Sequence, residues 1–187
     1  MRIAVVLASH RRTGKNKEIE DMIKGLRLPD SFDFIRMANA NLGSCTSCYK
    51  CADARECVHK DDFQEIFQRL INADCIYIIS PAYAPIPSRL CALFERLTSL
   101  LFATGVINTA LNPLVGKSAA VFSYCSSGIV DEIFIKLVMQ KFLMVGYSFT
   151  EVVFPYINRC VTPNETYGHD IASYVRDTLM KNTEVSQ

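Results

Sequence analysis

The sequence predicts an α/β fold in which one parallel β-sheet is covered by helices on both faces. Short apolar, β-rich runs alternate along the chain with segments of helical periodicity. The length of 187 residues suits one domain with a single core. A composition of 50% hydrophobic and 21% charged residues excludes a disordered chain. We therefore expect residues 1–187 to form one domain, with a cysteine-rich loop at about residues 43–60.

Five strand segments alternate with five helical segments. The predicted strands are residues 2–7, 32–37, 75–80, 119–123 and 149–154. The predicted helices are residues 16–26, 62–70, 88–101, 130–145 and 171–179. This element count is typical of a flavodoxin-like, doubly wound sheet of five parallel strands in the order 2-1-3-4-5.

The helices are predicted from apolar side chains spaced three and four residues apart. In the second and third helices these residues are Phe63, Ile66, Phe67 and Leu70, and Leu90, Leu93, Phe94, Leu97 and Leu101. Asp62 followed by Glu65 predicts a capping box at the start of the second helix. The helix at 130–145 has more apolar residues than one core-facing stripe requires, which predicts a homodimer or homotetramer. Residues 103–117 are long for a connection, and a lid, an interface element and a short helix all remain open.

Charge and hydropathy exclude several classes of protein. The formal net charge is +1, and no segment concentrates Lys and Arg as a nucleic-acid surface would. The sequence contains no run of eighteen apolar residues, so we expect no membrane span. The apolar run at residues 3–8 is too short for a signal segment. We therefore expect a cytoplasmic protein whose thiols stay reduced. In that setting a tight group of cysteines indicates a metal site or catalysis sooner than disulfides.

Ligands of doubly wound sheets bind beyond the carboxyl ends of the strands, at the switch point between the first and third. The loop at 8–16 follows the first strand, opens onto a helix, and contains hydroxyls, amides and cations. It lacks the glycine patterns of dinucleotide and P-loop sites. We predict that it binds one terminal phosphate, with Ser9, Thr13 and Asn16 as side-chain donors. A polar turn with an ordinary helix cap is the alternative.

Two further loops reach the same edge, and they predict a flat ring beside the phosphate. The loop at 80–87 has three prolines and the planar Tyr83, and the loop at 123–129 is small, polar and aromatic. A mononucleotide with a flat ring system fits three such loops, although rigid turns would explain each one singly. The predicted cofactor-binding residues are Ser9, Arg11, Thr13, Gly14, Lys15, Asn16, Pro81, Ala82, Tyr83, Ala84, Ser123, Tyr124 and Gly128.

The first loop, the 80–87 turn and the Glu95-Arg96 pair of the next helix resemble the NADPH-dependent FMN reductase family. The resemblance covers about residues 1–155. It implies FMN, with Ser9, Arg11, Gly14 and Asn16 near the phosphate, and Pro81, Ala82 and Tyr83 beside the isoalloxazine. The chain departs from the family pattern at Ala8, Lys15 and Cys91.

Four of the eight cysteines lie within thirteen positions, at Cys45, Cys48, Cys51 and Cys57. Three cysteines at successive intervals of three suit the corners of an iron–sulfur cluster, and Cys57 could be the fourth metal ligand. Zinc and unliganded thiols remain alternatives. The motif is similar to that of the iron–sulfur flavoproteins of the same family. That resemblance implies a [4Fe-4S] cluster beside FMN and a ferredoxin-like electron donor.

Three functions are compatible with these features. The first is an FMN-dependent redox protein that passes electrons between FMN and a [4Fe-4S] cluster. The second is a cluster-free NAD(P)H-dependent reductase of flavins or quinones, and the third is a non-enzymatic redox sensor. No Ser-His-Asp or metalloprotease pattern is present, so we predict no catalytic side chains and expect the cofactors to supply the chemistry.

Overall fold

Five parallel strands form one sheet in the predicted order β2-β1-β3-β4-β5. The computed structural model describes residues 1–26, 28–81, 86–124 and 148–149. The strands are β1 (Arg2–Leu7), β2 (Ser31–Arg36), β3 (Cys75–Pro81), β4 (Ser118–Tyr124) and β5 (Ser148–Phe149). The helices are α1 (Lys15–Gly25), α2 (Cys51–Ala54), α3 (Phe63–Asn72) and α4 (Ser88–Ala103). The flavodoxin-like fold class is confirmed.

The two faces of the sheet carry separate apolar cores. Ala4 and Val6 of β1 pack in the core that contains the apolar faces of α3 and α4. Ile3 and Val5 point to the opposite face, whose core includes α1. Successive side chains of a strand alternate between faces, so a strand buried on both faces is continuously apolar. This explains why β3 is buried at all seven positions.

The predicted capping box at the start of α3 is wrong. The Asp62 side chain does not cap α3 but accepts a hydrogen bond from the backbone N–H of Asn41 at 2.7 Å. The N–H of Phe63 is bound instead by Asp61 Oδ1 at 3.2 Å. Asp62 also donates its own N–H to the carbonyl of Asn41 at 3.0 Å. Asp62 thus forms two hydrogen bonds with Asn41, which bring residues 41 and 62 together, instead of capping α3.

The segment at 104–117 consists of turns rather than a helix. Thr104 ends α4 by donating its hydroxyl to the carbonyl of Leu100 at 2.8 Å. Asn112 is 3% exposed and accepts a hydrogen bond from the N–H of Leu114 at 3.0 Å. Leu114 itself is fully buried in the core beside α3 and α4. The turns therefore pack against the core.

Several sequence predictions lie outside the described residues. They are the helices at 130–145 and 171–179, most of the strand at 149–154, and the loop residues 82–85 and 125–129. Within the described part of the chain, no helix combines the length and apolarity that crossing a membrane would require.

Glu20 is the most deeply buried acidic residue of the described chain, and two cations neutralise it. Its side chain is 0% exposed and forms ion pairs with Arg36 at the end of β2 and with Lys24 one helical turn later. Hydrogen bonding from Arg36 is the main reason why the pKa of Glu20 falls from 4.5 to about 2. The ion pair between Glu20 and Arg36 therefore joins α1 to β2, the edge strand of the sheet.

We predict that Glu20→Gln lowers the free energy of unfolding by about 2 kcal/mol at pH 7, because the charge attraction is lost. The folded pKa is below the ordinary one, so the stabilisation is complete above pH 4.5 and disappears as the pH falls towards 2. Urea unfolding at pH 7 and at pH 3 measures both effects. The difference between variant and wild type should shrink at pH 3. A stability difference that does not change with pH would contradict the low pKa assigned to Glu20. Glu18→Gln, which removes the carboxylate of an exposed ion pair, is the control.

Candidate functional site

The carbonyl of Ile79 anchors the loop that follows β1. It accepts the backbone N–H of Ala8 at 2.9 Å and the side-chain amide of Asn16 at 3.2 Å. The first bond continues the β1–β3 ladder by one residue, and the second fixes the first turn of α1 against β3. The switch point between the first and third strands is therefore built by direct hydrogen bonds.

Asn16 also reaches β4. Its Oδ1 accepts the hydroxyl of Tyr124 at 2.8 Å, and its side chain is buried, with the residue 4% exposed. The sequence predicts Asn16 and Tyr124 as cofactor-binding residues, and the structure brings them together. The Asn16 side chain donates to Ile79 of β3 and accepts from Tyr124 of β4, so it links the first loop to both strands. Its backbone N–H and its second amide hydrogen stay predicted phosphate donors.

The predicted phosphate loop borders a cavity of about 400 Å³ at the carboxyl ends of β1 and β2. Its cationic and polar lining includes Ser9, Arg11, Arg12 and Asn16. Ser9 Oγ accepts the N–H of Arg11 at 3.1 Å, which tightens the turn. Both arginines are exposed, so they are free to turn towards an anion.

Gly14 and Lys15 begin α1. Gly14 has a φ of 95°, a conformation that side chains rarely allow, and its carbonyl accepts the N–H groups of Lys17 and Glu18. Lys15 forms an ion pair with Glu18 at 2.5 Å. The start of an eleven-residue helix thus faces the loop with its positive end, while part of the Lys15 charge is balanced locally.

The structure describes part of the other two predicted loops. Pro81 is buried in β3 and lies opposite Tyr124 in the β3–β4 register. Ser123 is paired in the same ladder with Ser80. Ala82, Tyr83, Ala84 and Gly128 lie outside the described residues, so their predicted contacts with a flat ring stay predictions.

The four clustered cysteines line one cavity of about 200 Å³ between the cysteine loop, residues 43–60, and the second half of α4. Cys45, Cys51 and Cys57 are half-buried, and Cys48 is exposed. Among the described residues, no three His, Cys, Asp or Glu side chains are grouped so that they could hold a metal ion. The thiols therefore surround a common volume without converging on a point.

The thiols of the loop have different electrostatic environments. A hydrogen bond from the backbone N–H of Lys50 is the largest cause that lowers the pKa of Cys48. Burial raises the pKa of Cys51. Ser47 and Tyr49, on either side of Cys48, have φ angles of 50° and 57°. This left-handed backbone folds the loop tightly enough to turn successive cysteines towards one cavity.

Asp61 and Arg96 close the base of the cysteine loop. Asp61 Oδ2 accepts the N–H of Gly43 at 3.2 Å and also an N–H of Arg96. Burial alone would raise the pKa of Asp61, but hydrogen bonds from Arg96, Gly43 and Phe63 together lower it. Arg96 also donates to Cys57 Sγ at 2.9 Å. One buried network therefore holds both ends of the loop.

Helix α4 contacts the predicted phosphate loop and borders the cysteine cavity. The hydroxyl of Ser88, in its first turn, lies 3.5 Å from Nε2 of His10 in the predicted phosphate loop. Its later residues Thr98, Leu100 and Phe102 line the cysteine cavity. A helix rises about 1.5 Å per residue, so Arg96 lies about 12 Å along the axis from Ser88.

The family model for NADPH-dependent FMN reductases matches residues 1–145. The chain belongs to this family. A curated relative, the iron-sulfur flavoprotein of Methanosarcina thermophila, is 34% identical over 90 residues, which are 48% of this chain and 45% of that protein. The match thus spans less than half the length of the relative.

Two solved structures show the same fold. A structure of RosB with the bound intermediate 8-demethyl-8-formylriboflavin-5'-phosphate has a TM-score of 0.69 and 13% identity, covering 100% of this chain and 79% of that one. Oxidised flavodoxin 1 from Bacillus cereus has a TM-score of 0.56 and 16% identity, covering 97% and 98%. At these identities the likeness establishes the fold alone.

Sequence reasoning missed the role of Arg96. Its neighbours on the inner face of α4, Leu93 three residues before and Leu100 four residues after, are both buried. An arginine at that spacing inside an apolar stripe predicts a buried cation, which needs a carboxylate partner. The pattern could therefore have pointed to Arg96, whereas its partner Asp61 could be found only from the tertiary structure.

We predict that Tyr124→Phe lowers the free energy of unfolding by about 1–2 kcal/mol, because the buried oxygen of Asn16 loses its donor. Denaturant unfolding measures the change. Tyr49→Phe, which removes the hydroxyl of a tyrosine that is 69% exposed, is the matched control and should have little effect. Equal stability of the Tyr124 variant and the wild type would contradict the proposed link between the loops.

Proposed function

We propose that this chain is an FMN-dependent oxidoreductase that passes electrons between FMN and a [4Fe-4S] cluster. FMN would lie at the carboxyl edge of the sheet, and the cluster would be bound by Cys45, Cys48, Cys51 and Cys57. Such a flavin supplies exchange between two-electron and one-electron carriers. The part of this chain is to bind the two groups, hold them at a constant separation and adjust their potentials.

The residues at the first site fit a phosphate monoester. Arg11 and Arg12 bring positive charge to the cavity, Ser9 brings a hydroxyl, and the N-terminus of α1 adds its backbone N–H groups. Charge-assisted hydrogen bonds from guanidinium groups are among the strongest that bind phosphate. Membership of the FMN reductase family supports FMN as the ligand that bears this phosphate.

The residues at the second site fit an iron–sulfur cluster. A [4Fe-4S] cluster takes one cysteine at each iron, so its ligands surround a volume, whereas a single zinc ion needs four ligands at one point. The four cysteines of the cysteine loop line one cavity, which supports this assignment. Arg96 supplies a donor to the sulfur of Cys57, and N–H···S bonds are a common feature of protein-bound clusters. The name of the relative from Methanosarcina thermophila supports this assignment.

The single observation that carries the proposal is that α4 contacts the predicted phosphate loop and also lines the cysteine cavity. Its first turn contacts the phosphate loop at His10, and its second half lines the cysteine cavity. A helix is a rigid spacer, so the loop at its first turn and the cavity beside its second half keep a constant separation. Electron exchange between a flavin and a cluster requires such a fixed arrangement.

A second candidate function is that of a cluster-free reductase in which FMN takes hydride from NADPH or NADH. The family description favours it, since it names an NADPH-dependent FMN reductase. In this case the thiols of the cysteine loop would carry no metal. The third candidate, a redox sensor, would bind flavin without turnover.

Flavin and metal analysis of anaerobically purified protein separates these functions. About four iron and four sulfide per chain beside FMN would support the proposal. FMN without iron, even after anaerobic reconstitution, would contradict it. Fast flavin bleaching by NADPH in that iron-free protein would favour the reductase, and bound flavin reduced by no nicotinamide donor would favour the sensor.

We predict that Arg11→Ala weakens FMN binding about tenfold to a hundredfold, because a charge-assisted hydrogen bond to phosphate contributes about 1.5–3 kcal/mol. Quenching of FMN fluorescence during titration of flavin-free protein measures the affinity. Arg2→Ala is the matched control, since Arg2 lies at the opposite end of β1. Riboflavin, which lacks the phosphate, should bind both variants and wild type alike. Unchanged FMN affinity in the Arg11 variant would remove this residue from the site.

We predict that Cys48→Ala removes iron and leaves the flavin in place, because the two sites are formed by different loops. Iron analysis and the flavin absorption of the same sample measure both. Cys75→Ala is the matched control: Cys75 is buried in β3, where burial raises the pKa of its thiol to about 12, and it does not line the cysteine cavity. Full iron content in the Cys48 variant would contradict the ligand assignment.

A further inference from the structure

The guanidinium of Arg96 is buried among apolar residues of the core. The residue is 2% exposed, and its guanidinium carbon lies 4.3 Å from the centroid of the Phe63 ring. Its ion-pair partner Asp61 is 12% exposed. A cation in such a position is retained at a considerable desolvation cost, so its contacts indicate what it does.

Among the described arginines, Arg96 is the one that divides its donors between a carboxylate and a sulfur. Arg36 and Arg69 each bind both oxygens of one carboxylate, that of Glu20 and that of Asp33 respectively. This two-point pairing is the common geometry of buried arginine–carboxylate pairs. Arg96 gives only one of its terminal nitrogens to Asp61 and directs the other to a sulfur.

The position of Asp61 explains the division. Asp61 Oδ1 accepts the N–H of Phe63 at the start of α3, so only Oδ2 faces the guanidinium. The Nη2 atom of Arg96 is thereby left for Cys57 Sγ, at 2.9 Å. Nη1 also reaches the carbonyl of Gly43 at 3.4 Å, at the other end of the cysteine loop. Arg96 thus contacts both ends of the loop.

We propose that Arg96 is a positioning residue that holds the cysteine loop ready for its metal group and raises the reduction potential of that group through the N–H···Sγ bond to Cys57. The proposal rests on the proposed function. With a bound cluster, transfer of one electron from reduced FMN would make the sulfur ligands of the cluster more electron-rich. A hydrogen-bond donor and a positive charge beside Cys57 stabilise the reduced form more than the oxidised form. No proton is transferred and no bond to Cys57 is broken.

Arg96→Lys tests the effect on the potential, because it keeps the charge beside Asp61 and loses the forked donor. In an anaerobic titration with dithionite, followed by visible absorption, the variant should keep its iron and show a lower midpoint potential than wild type. Arg89→Lys is the matched control, because Arg89 lies on the same helix and donates to the carbonyl of Met37. The midpoint potential of this variant should equal that of wild type. An iron-loaded Arg96 variant with the wild-type potential would overturn this part.

Hydrogen exchange of the metal-free protein tests the effect on the loop and needs no cluster. Amides of residues 43–60 should exchange about tenfold faster in Arg96→Lys than in wild type, and Arg89→Lys should match wild type. Equal exchange in all three proteins would overturn the positioning role. If Arg96→Lys does not fold, Arg96→Gln combined with Asp61→Asn removes both buried charges and should show the same two effects.

Failure of the proposed function has a different signature. Wild-type protein that takes up no iron would contradict the cluster and the effect of Arg96 on its potential together. The exchange comparison would still decide whether Arg96 holds the loop.

Discussion

The buried ion pair between Arg96 and Asp61 determines how α4 and the cysteine loop lie against each other. Removing one partner of such a pair typically costs about 3–5 kcal/mol, a large share of the total stability of a domain. Asp61 also binds Gly43 and Phe63, so the same carboxylate closes the loop and begins α3. The local geometry of the cysteine cavity therefore depends on a contact between residues that are 35 positions apart.

The edge of the sheet that carries the predicted phosphate loop is held together by a different kind of contact. Three neighbouring strands end at the same edge of the sheet, and Asn16 bonds to Ile79 of β3 and to Tyr124 of β4. A polar side chain used in this way orders the loops before any ligand binds, which reduces the entropy lost on binding. Preorganisation of this kind suits a tightly held cofactor better than a substrate that must leave after each turnover.

Cys75 and the cysteines of the cysteine loop have different surroundings. Cys75 is enclosed by the sheet, and burial raises the pKa of its thiol to about 12, as expected of a small apolar core residue. The thiols at positions 45–57 line a cavity that opens to solvent beside exposed Tyr49 and Phe102. Burial thus distinguishes Cys75 from the cysteines of the cysteine loop.

Sequence periodicity was sufficient to predict the sheet and its strand order, and the edge at which a ligand is expected stays a prediction. Strand apolarity and helical spacing depend on local periodicity, and the order of parallel strands follows from short right-handed connections, so β1 to β4 and α1, α3 and α4 could all be predicted. The spacing of the cysteines likewise identified the loop as a metal-binding candidate. Folding in three dimensions was needed to show that Asp61 pairs with Arg96, that Asp62 binds Asn41 instead of capping α3, and that Asn16 bonds to Tyr124. The reason is physical: a polar side chain takes whichever partner folding brings within about 3 Å, and such partners lie far apart along the chain.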